Sequence, residues 1–168
     1  IGTVQPIAAI SSEVKTRARE LNRSIVMHTD AVQAPGFLPL DLQSLGVDML
    51  SLSAHKFYGP KGVGLFYIRR STLWLPQQLG GRQERERRSG TENVPGIVGM
   101  ARALEIAISE QEPASNHCEA LRDHIIKQIL QLIPRAFLNG HPENRLPNNV
   151  SFSFDQVDGE PILLGLDM

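Results

Sequence analysis

Apolar and polar positions along the chain follow two periods in turn, and each period predicts its own kind of element. Ser11 and Ser12 precede Glu13, Val14 and a charged run containing Ala and Leu that reaches Asn22, which predicts a capped helix of roughly three turns. In SIVMHTDAVQ the nearly unbroken, largely β-branched core Ile25, Val26, Met27 predicts a strand buried on both faces, as parallel strands are. Asp41 can cap a short helix over 42–45 that Gly46 terminates, and VDMLSL, Val47 to Leu52, predicts a second buried strand. Strand, short helix and strand together form a crossover unit. Gly59, Pro60, Lys61 and Gly62 predict a turn, and VGLFYI, Val63 to Ile68, a third strand closed by Arg69 and Arg70.

Beyond Gly80 and Gly81, the polar stretch from Arg82 to Asn93 has neither period and predicts a loop. After Pro95 the apolar positions Ile97, Val98, Met100, Ala101, Leu104, Ala107 and Ile108 recur at helical spacing until Pro113, which breaks that helix. A further helix runs from Ala114 to about Leu132, and NVSFSF, Asn149 to Phe154, alternates as a half-buried strand does. The fold class is therefore α/β. Residues 1–112 read as part of a larger α/β domain, and residues 113–168, helix followed by an antiparallel-type strand, as the start of a smaller α+β domain.

Composition narrows the function rather than the fold. With 41% hydrophobic and 21% charged residues the chain suits a globular protein with a core. Its 17 basic and 18 acidic residues leave a net charge of −1, which gives no reason to expect nucleic acid or an acidic membrane as partner. Apolar stretches fall far short of the about 20 residues a membrane-spanning helix requires, and no secretory leader pattern opens the chain. The single cysteine, Cys118, excludes an internal disulfide framework and suits a reducing compartment, so the cytosol is expected. Five histidines at spacings unlike HxxxH, without a CxxC, predict no metal site. The chain starts at Ile1 without a Met and stops just after the apolar run Ile162 to Leu166, which suggests a piece of a longer product.

Candidate chemistry concentrates in SLSAHKFYGPKG. Lys56 falls just beyond a predicted buried strand, at the sheet edge where open α/β folds place their ligand crevice. A lysine there beside apolar Phe57 would have its amine desolvated and made nucleophilic, as in Schiff-base lysines; taken alone, a surface loop lysine explains it as well. Asp30 also ends a predicted strand and would point into the same crevice, where a carboxylate can pair with a protonated pyridine nitrogen; a turn cap is the alternative. Gln33 could donate its amide to a ring oxygen or be an ordinary loop residue. Ser53 and His55 offer a hydroxyl and an imidazole suited to a phosphate, or are satisfied structural groups. GPKGVG lacks the GxxxxGK[ST] pattern of a Walker loop. Arg82, Arg85, Arg87 and Arg88 read as a solvated basic loop or a weak anion site.

HTDAVQA, SLSAHKFYGPKGVGLFYIRR and GGRQERERRSGTENV, in this order and spacing, resemble the cysteine desulfurases of the NifS/IscS type, within the class-V aminotransferases and the fold-type I pyridoxal-phosphate enzymes. The resemblance extends over essentially the whole chain. It implies the central part of such a fold, a mainly parallel sheet flanked by helices, with N- and C-terminal segments of the family missing. By position, it implies that Lys56 carries pyridoxal 5'-phosphate, Asp30 pairs with the pyridinium, Gln33 bonds the ring hydroxyl, and Ser53 and His55 hold the phosphate. Thr91 matches a threonine that reaches the cofactor phosphate of the neighbouring subunit in a homodimer, which makes the Arg-rich loop an interface element.

The implied reaction removes sulfur from L-cysteine, leaving L-alanine and an enzyme persulfide that serves an acceptor such as an iron–sulfur scaffold protein. The family's catalytic cysteine is expected just past Met168, and Cys118, at the start of the helix after Pro113, reads as a structural thiol. The 168 residues alone are therefore expected not to turn over cysteine. Rival readings are another fold-type I enzyme, such as an aminotransferase or a selenocysteine lyase, and a non-catalytic fragment or scaffold.

Overall fold

The computed structural model describes residues 1–167. They form two compact units, Pro6–Gln111 and a smaller one that joins Ile1–Gln5 to the chain from Glu112 onward.

In the larger unit, helix α1 spans Ile7–Glu20. Ser11 and Ser12, expected to cap it, lie inside it; Ser11 is buried at 1% exposure and donates its hydroxyl to Gly46 O at 2.8 Å. A serine can lie mid-helix when its hydroxyl finds such a partner outside the helix. Strand β1 covers only His28–Asp30. Ile25 and Val26 precede it at 43% and 44% exposure, so the expected strand buried on both faces is not present. Among the described residues β1 has one neighbour, β2 (Met49–Ser53), and buries only Thr29.

The crossover unit is present: helix α2, Leu42–Leu45, lies between the two strands, and β1 and β2 are parallel. Asp41 caps α2 by accepting the Ser44 amide at 2.6 Å, and Gly46 closes it with φ 67°, a left-handed conformation that glycine adopts without a Cβ penalty. Strand β3, Gly64–Ile68, runs antiparallel to β2, with Leu50 opposite Tyr67 and Ser51 opposite Phe66, so the three-stranded sheet is mixed, in the order β1, β2, β3.

Alternation along β2 decides which face is core. Leu50 and Leu52 are buried at 3% and 7%, while Met49, Ser51 and Ser53 on the other face are half-buried. Val47, Ala31, Ala54, Phe57 and Met100 complete the cluster, the last supplied by helix α4, Val94–Ser109. α4 begins where the Asn93 side chain accepts the Gly96 amide at 3.1 Å. Before it the Arg-rich loop holds α3, Gln83–Glu86, in which Glu84, Arg85 and Glu86 all have positive φ. Asp48 ties this unit together: its carboxylate accepts from Met27 N and Lys15 Nζ, each at 3.0 Å, and pairs with Arg69 Nε at 3.4 Å. Burial works against the charge, but the Met27 amide and Lys15 outweigh it and hold Asp48 below the ordinary carboxylate range.

α5 spans Gln111–Leu132 and leads into the smaller unit; Pro113 falls in its first turn rather than ending α4, a position where the missing amide costs no helix bond. Strand β4, Ala136–Leu138, unmarked in the hydrophobic pattern, pairs antiparallel with β5, Phe152–Phe154. The terminal apolar run lies in helix α6, Gly159–Leu166. Arg122 and Arg145, buried at 6% and 4%, anchor this unit, Arg122 by pairing with Glu119 and Asp123 at 2.8 Å each. No described helix is long and apolar enough to cross a membrane.

Candidate active site

The carboxyl ends of β1 and β2 lie side by side because the strands are parallel and in register, with Asp30 opposite Ser51. Just beyond, the Ala31 amide donates to Ser51 O at 3.0 Å. Asp30 ends β1. β2 ends at Ser53, and the chain enters at once a 3₁₀ turn, Ala54–Phe57, that carries His55 and Lys56. Four of the predicted site residues thus cluster at one sheet edge.

The turn is fixed from the core side. Ala54 and Phe57 are buried at 0% and 2%, the Ala54 amide donates to Val63 O at 3.1 Å, and the Gly59 amide returns to Ala54 O at 2.9 Å. A Cβ at Gly59 would come within 2.9 Å of Ala54 Cβ and 3.0 Å of its carbonyl oxygen, so this close return requires glycine. Neighbouring side chains of a 3₁₀ turn point about 120° apart. Sinking Phe57 therefore turns Lys56 outward, and Lys56 is exposed rather than desolvated beside Phe57 as its sequence neighbours suggested. No described residue pairs with its Nζ.

Asp30 is exposed, and its Oδ1 accepts the Val32 amide at 3.0 Å. One carboxylate oxygen thus caps the turn after β1, and Oδ2 has no partner among the described residues. Ser53 Oγ and His55 Nδ1 are 3.0 Å apart. Gln33 is exposed in the loop after β1, and Thr91 is exposed between α3 and α4, away from the strand ends in sequence.

One pair escaped sequence reasoning. His28, two residues before Asp30 and so on the same face of β1, has its Nε2 2.7 Å from Ser51 Oγ, and its ring meets Phe66 edge-on at 5.7 Å. The signal was available: the alternation in HTD puts His28 and Asp30 on one face.

The set fits pyridoxal phosphate. A free ammonium, a carboxylate with an uncommitted oxygen, and a hydroxyl beside an imidazole meet the needs of an aldehyde, a pyridinium and a phosphate. The depression of about 500 Å³ beside α1, lined by Lys15, Arg19, Arg23 and Ile25 among others, includes none of these residues. Among the described residues, no three His, Cys, Asp or Glu side chains come together to hold a metal ion.

The sequence model of the family described as aminotransferase class-V matches residues 1–168. Cysteine desulfurase IscS of Dictyoglomus turgidum is 49% identical over 168 residues, which is 100% of this chain and 41% of that protein. Cysteine desulfurase IscS of Methanosarcina thermophila is 48% identical over 167 residues, 99% of this chain and 40% of that protein. A solved structure described as a NifS-like protein superposes with a TM-score of 0.90 at 43% identity, covering 100% of this chain and 45% of its own. The chain thus spans about two fifths of the length of the curated relatives it matches. With its full length matched by the family model and its fold shared with a NifS-like structure, this chain belongs to the class-V aminotransferase family.

Proposed function

We propose that these residues form the central part of a pyridoxal-phosphate-dependent cysteine desulfurase, which converts L-cysteine to L-alanine and retains the sulfur as an enzyme persulfide. The observation that carries the reading is the placement of Asp30 at the carboxyl end of β1 and of Lys56 in the turn just past the carboxyl end of the adjacent parallel strand β2, in a chain 49% identical to a cysteine desulfurase. When bound, the cofactor supplies an electron sink for the substrate's α-carbon.

The chain's own residues then have distinct tasks. Ser53 and His55 bind the phosphate, and their mutual contact fixes the hydroxyl and ring before a ligand arrives. Asp30 keeps a proton on the ring nitrogen through the oxygen its turn leaves uncommitted. Gln33 donates its amide to the ring oxygen. Lys56 would hold the cofactor through its side-chain amine, and the same amine, when free, would carry the proton at the substrate's α-carbon. The thiolate that attacks the substrate sulfur is assigned to a part of the whole protein other than these residues, because Cys118 is fixed inside α5 and a sulfur carrier must travel.

A homodimer belongs to the same reading, with Thr91 serving the partner's phosphate. In support, Leu73, Leu75 and Leu79 are exposed at 91%, 80% and 82% just before the Thr91 loop, as an apolar stretch awaiting cover would be. We also propose that residues 1–112 are part of the large cofactor domain and 113–168 the start of the small one, that an iron–sulfur scaffold protein takes the sulfur, and that the protein works in the cytoplasm.

The test is an assay of the whole protein for alanine and sulfide from L-cysteine. With a dithiol reductant present to release the persulfide sulfur as sulfide, stoichiometric formation of both, abolished by Lys56→Ala, is the expected result. Keto-acid formation without sulfide would replace desulfuration by transamination.

A further inference from the structure

The loop between β4 and β5 is built around one imidazole. His141 Nδ1 accepts the amides of Glu143 and Asn144 at 3.1 and 2.9 Å. Both bonds require a lone pair on Nδ1, so the ring is neutral with its proton on Nε2. Nε2 lies 3.3 Å from the Asn144 side-chain amide, whose oxygen completes the arrangement when it faces the ring.

This loop in turn holds the first residues of the chain. Val4 N donates to Asn144 O at 2.9 Å, Leu146 N donates to Gly2 O at 2.8 Å, and Thr3 bridges Arg145 in antiparallel fashion. The His141 amide donates to Thr3 Oγ1 at 3.0 Å, and Arg145 Nη2 donates to Ile1 O at 3.2 Å. The segment Ile1–Gln5 leads directly into α1, whose unit carries the candidate active site.

We propose that His141 is a proton-sensitive latch that fixes the segment Ile1–Gln5 to the smaller unit when neutral and releases it when protonated. A proton at Nδ1 turns the acceptor into a donor facing two amide donors, so both loop bonds are lost together. The charged groups around the latch are Glu143 within the loop and Arg145, whose Nη1 donates to His141 O at 3.4 Å. From α5, Arg122 donates to Arg145 O at 3.4 Å, with Glu119 and Asp123 paired to it. Of these groups, His141 is the one whose ring itself accepts the two loop amides.

The experiment is amide exchange by NMR at Val4 and Leu146 in the 168-residue chain from pH 8 to 5.5, with the intrinsic pH dependence divided out. The wild type should lose protection about tenfold as His141 takes up its proton, the loss expected from two hydrogen bonds. His141→Asp keeps an acceptor at this position without titrating in that range, and its protection should stay level. His141→Ala should show the open pattern at every pH. Constant wild-type protection across the His141 titration would overturn the proposal, and so would an equal loss in His141→Asp. A fold that fails in His141→Ala leaves the Asp comparison to decide.

Discussion

Ser53 Oγ and His55 Nδ1 stand 3.0 Å apart where β2 runs into the turn that carries Lys56. His55 is exposed and Ser53 half-buried, so removing either side chain touches little of the core. Ser53→Ala and His55→Ala should each change stability by no more than about 0.5 kcal/mol. Each should nevertheless weaken pyridoxal-phosphate binding in the whole protein by roughly tenfold, the loss of one or two hydrogen bonds to a charged group. Equilibrium binding followed by cofactor absorbance checks both, with Lys61→Ala, an exposed lysine in the following turn, as a neutral control.

Phe57 couples the core to the chemistry. It fills the core at 2% exposure one residue after Lys56 and fixes the direction in which the lysine leaves the turn. Phe57→Ala should cost about 3–5 kcal/mol in denaturant unfolding, and Phe57→Leu much less. Where Phe57→Leu remains folded, cofactor capture by Lys56 should slow, because the turn loses its fixed direction.

Asp48 sets an acid limit on the larger unit. Its carboxyl is held below the ordinary value of 3.8, against burial, by the Met27 amide and Lys15. A depressed folded-state value stabilises the fold above 3.8, and that contribution is lost as pH falls below 3.8 through the folded value. Asp48→Asn should therefore lower stability at neutral pH by about 1–3 kcal/mol and flatten its acid dependence. Unfolding curves at pH 7 and pH 3 measure both effects.

The turn Gln83–Glu86 holds three successive non-glycine residues, Glu84, Arg85 and Glu86, at φ 50°, 58° and 64°. Left-handed backbone costs an L-residue about 1–2 kcal/mol. Arg85→Gly should therefore raise the midpoint of thermal unfolding, and Arg85→Val, β-branched, should lower it. Calorimetry on the two variants separates this backbone effect from the loss of one exposed charge, which they share.

Much of the larger unit was legible in the sequence because its signals are local. Asp41 and Gly46 delimit α2 by capping chemistry alone, and the two strands it joins are parallel as a crossover requires. The end of β2 fixes where Ser53, His55 and Lys56 emerge. What failed depends on neighbours. Ile25 and Val26 have the composition of a doubly buried strand, but burial on both faces needs strands and helices on both sides, which residue type cannot report. Ser11 looks like a cap until Gly46 O, 35 positions away, accepts its hydroxyl. Lys56 was expected to be desolvated because Phe57 adjoins it, whereas the 3₁₀ turn sends adjacent side chains apart. Pro113 was read as a helix breaker, although a helix's first turn accepts it.

Covalent capture of the cofactor tests the assignment of Lys56 most directly. The whole protein containing these residues is incubated with pyridoxal phosphate, reduced with borohydride and mapped by peptide mass, with Lys56→Ala in parallel. The account predicts a single reduced adduct on the peptide carrying Lys56, absent from the variant. An adduct on another lysine, or none on a protein that is folded by circular dichroism, would contradict it.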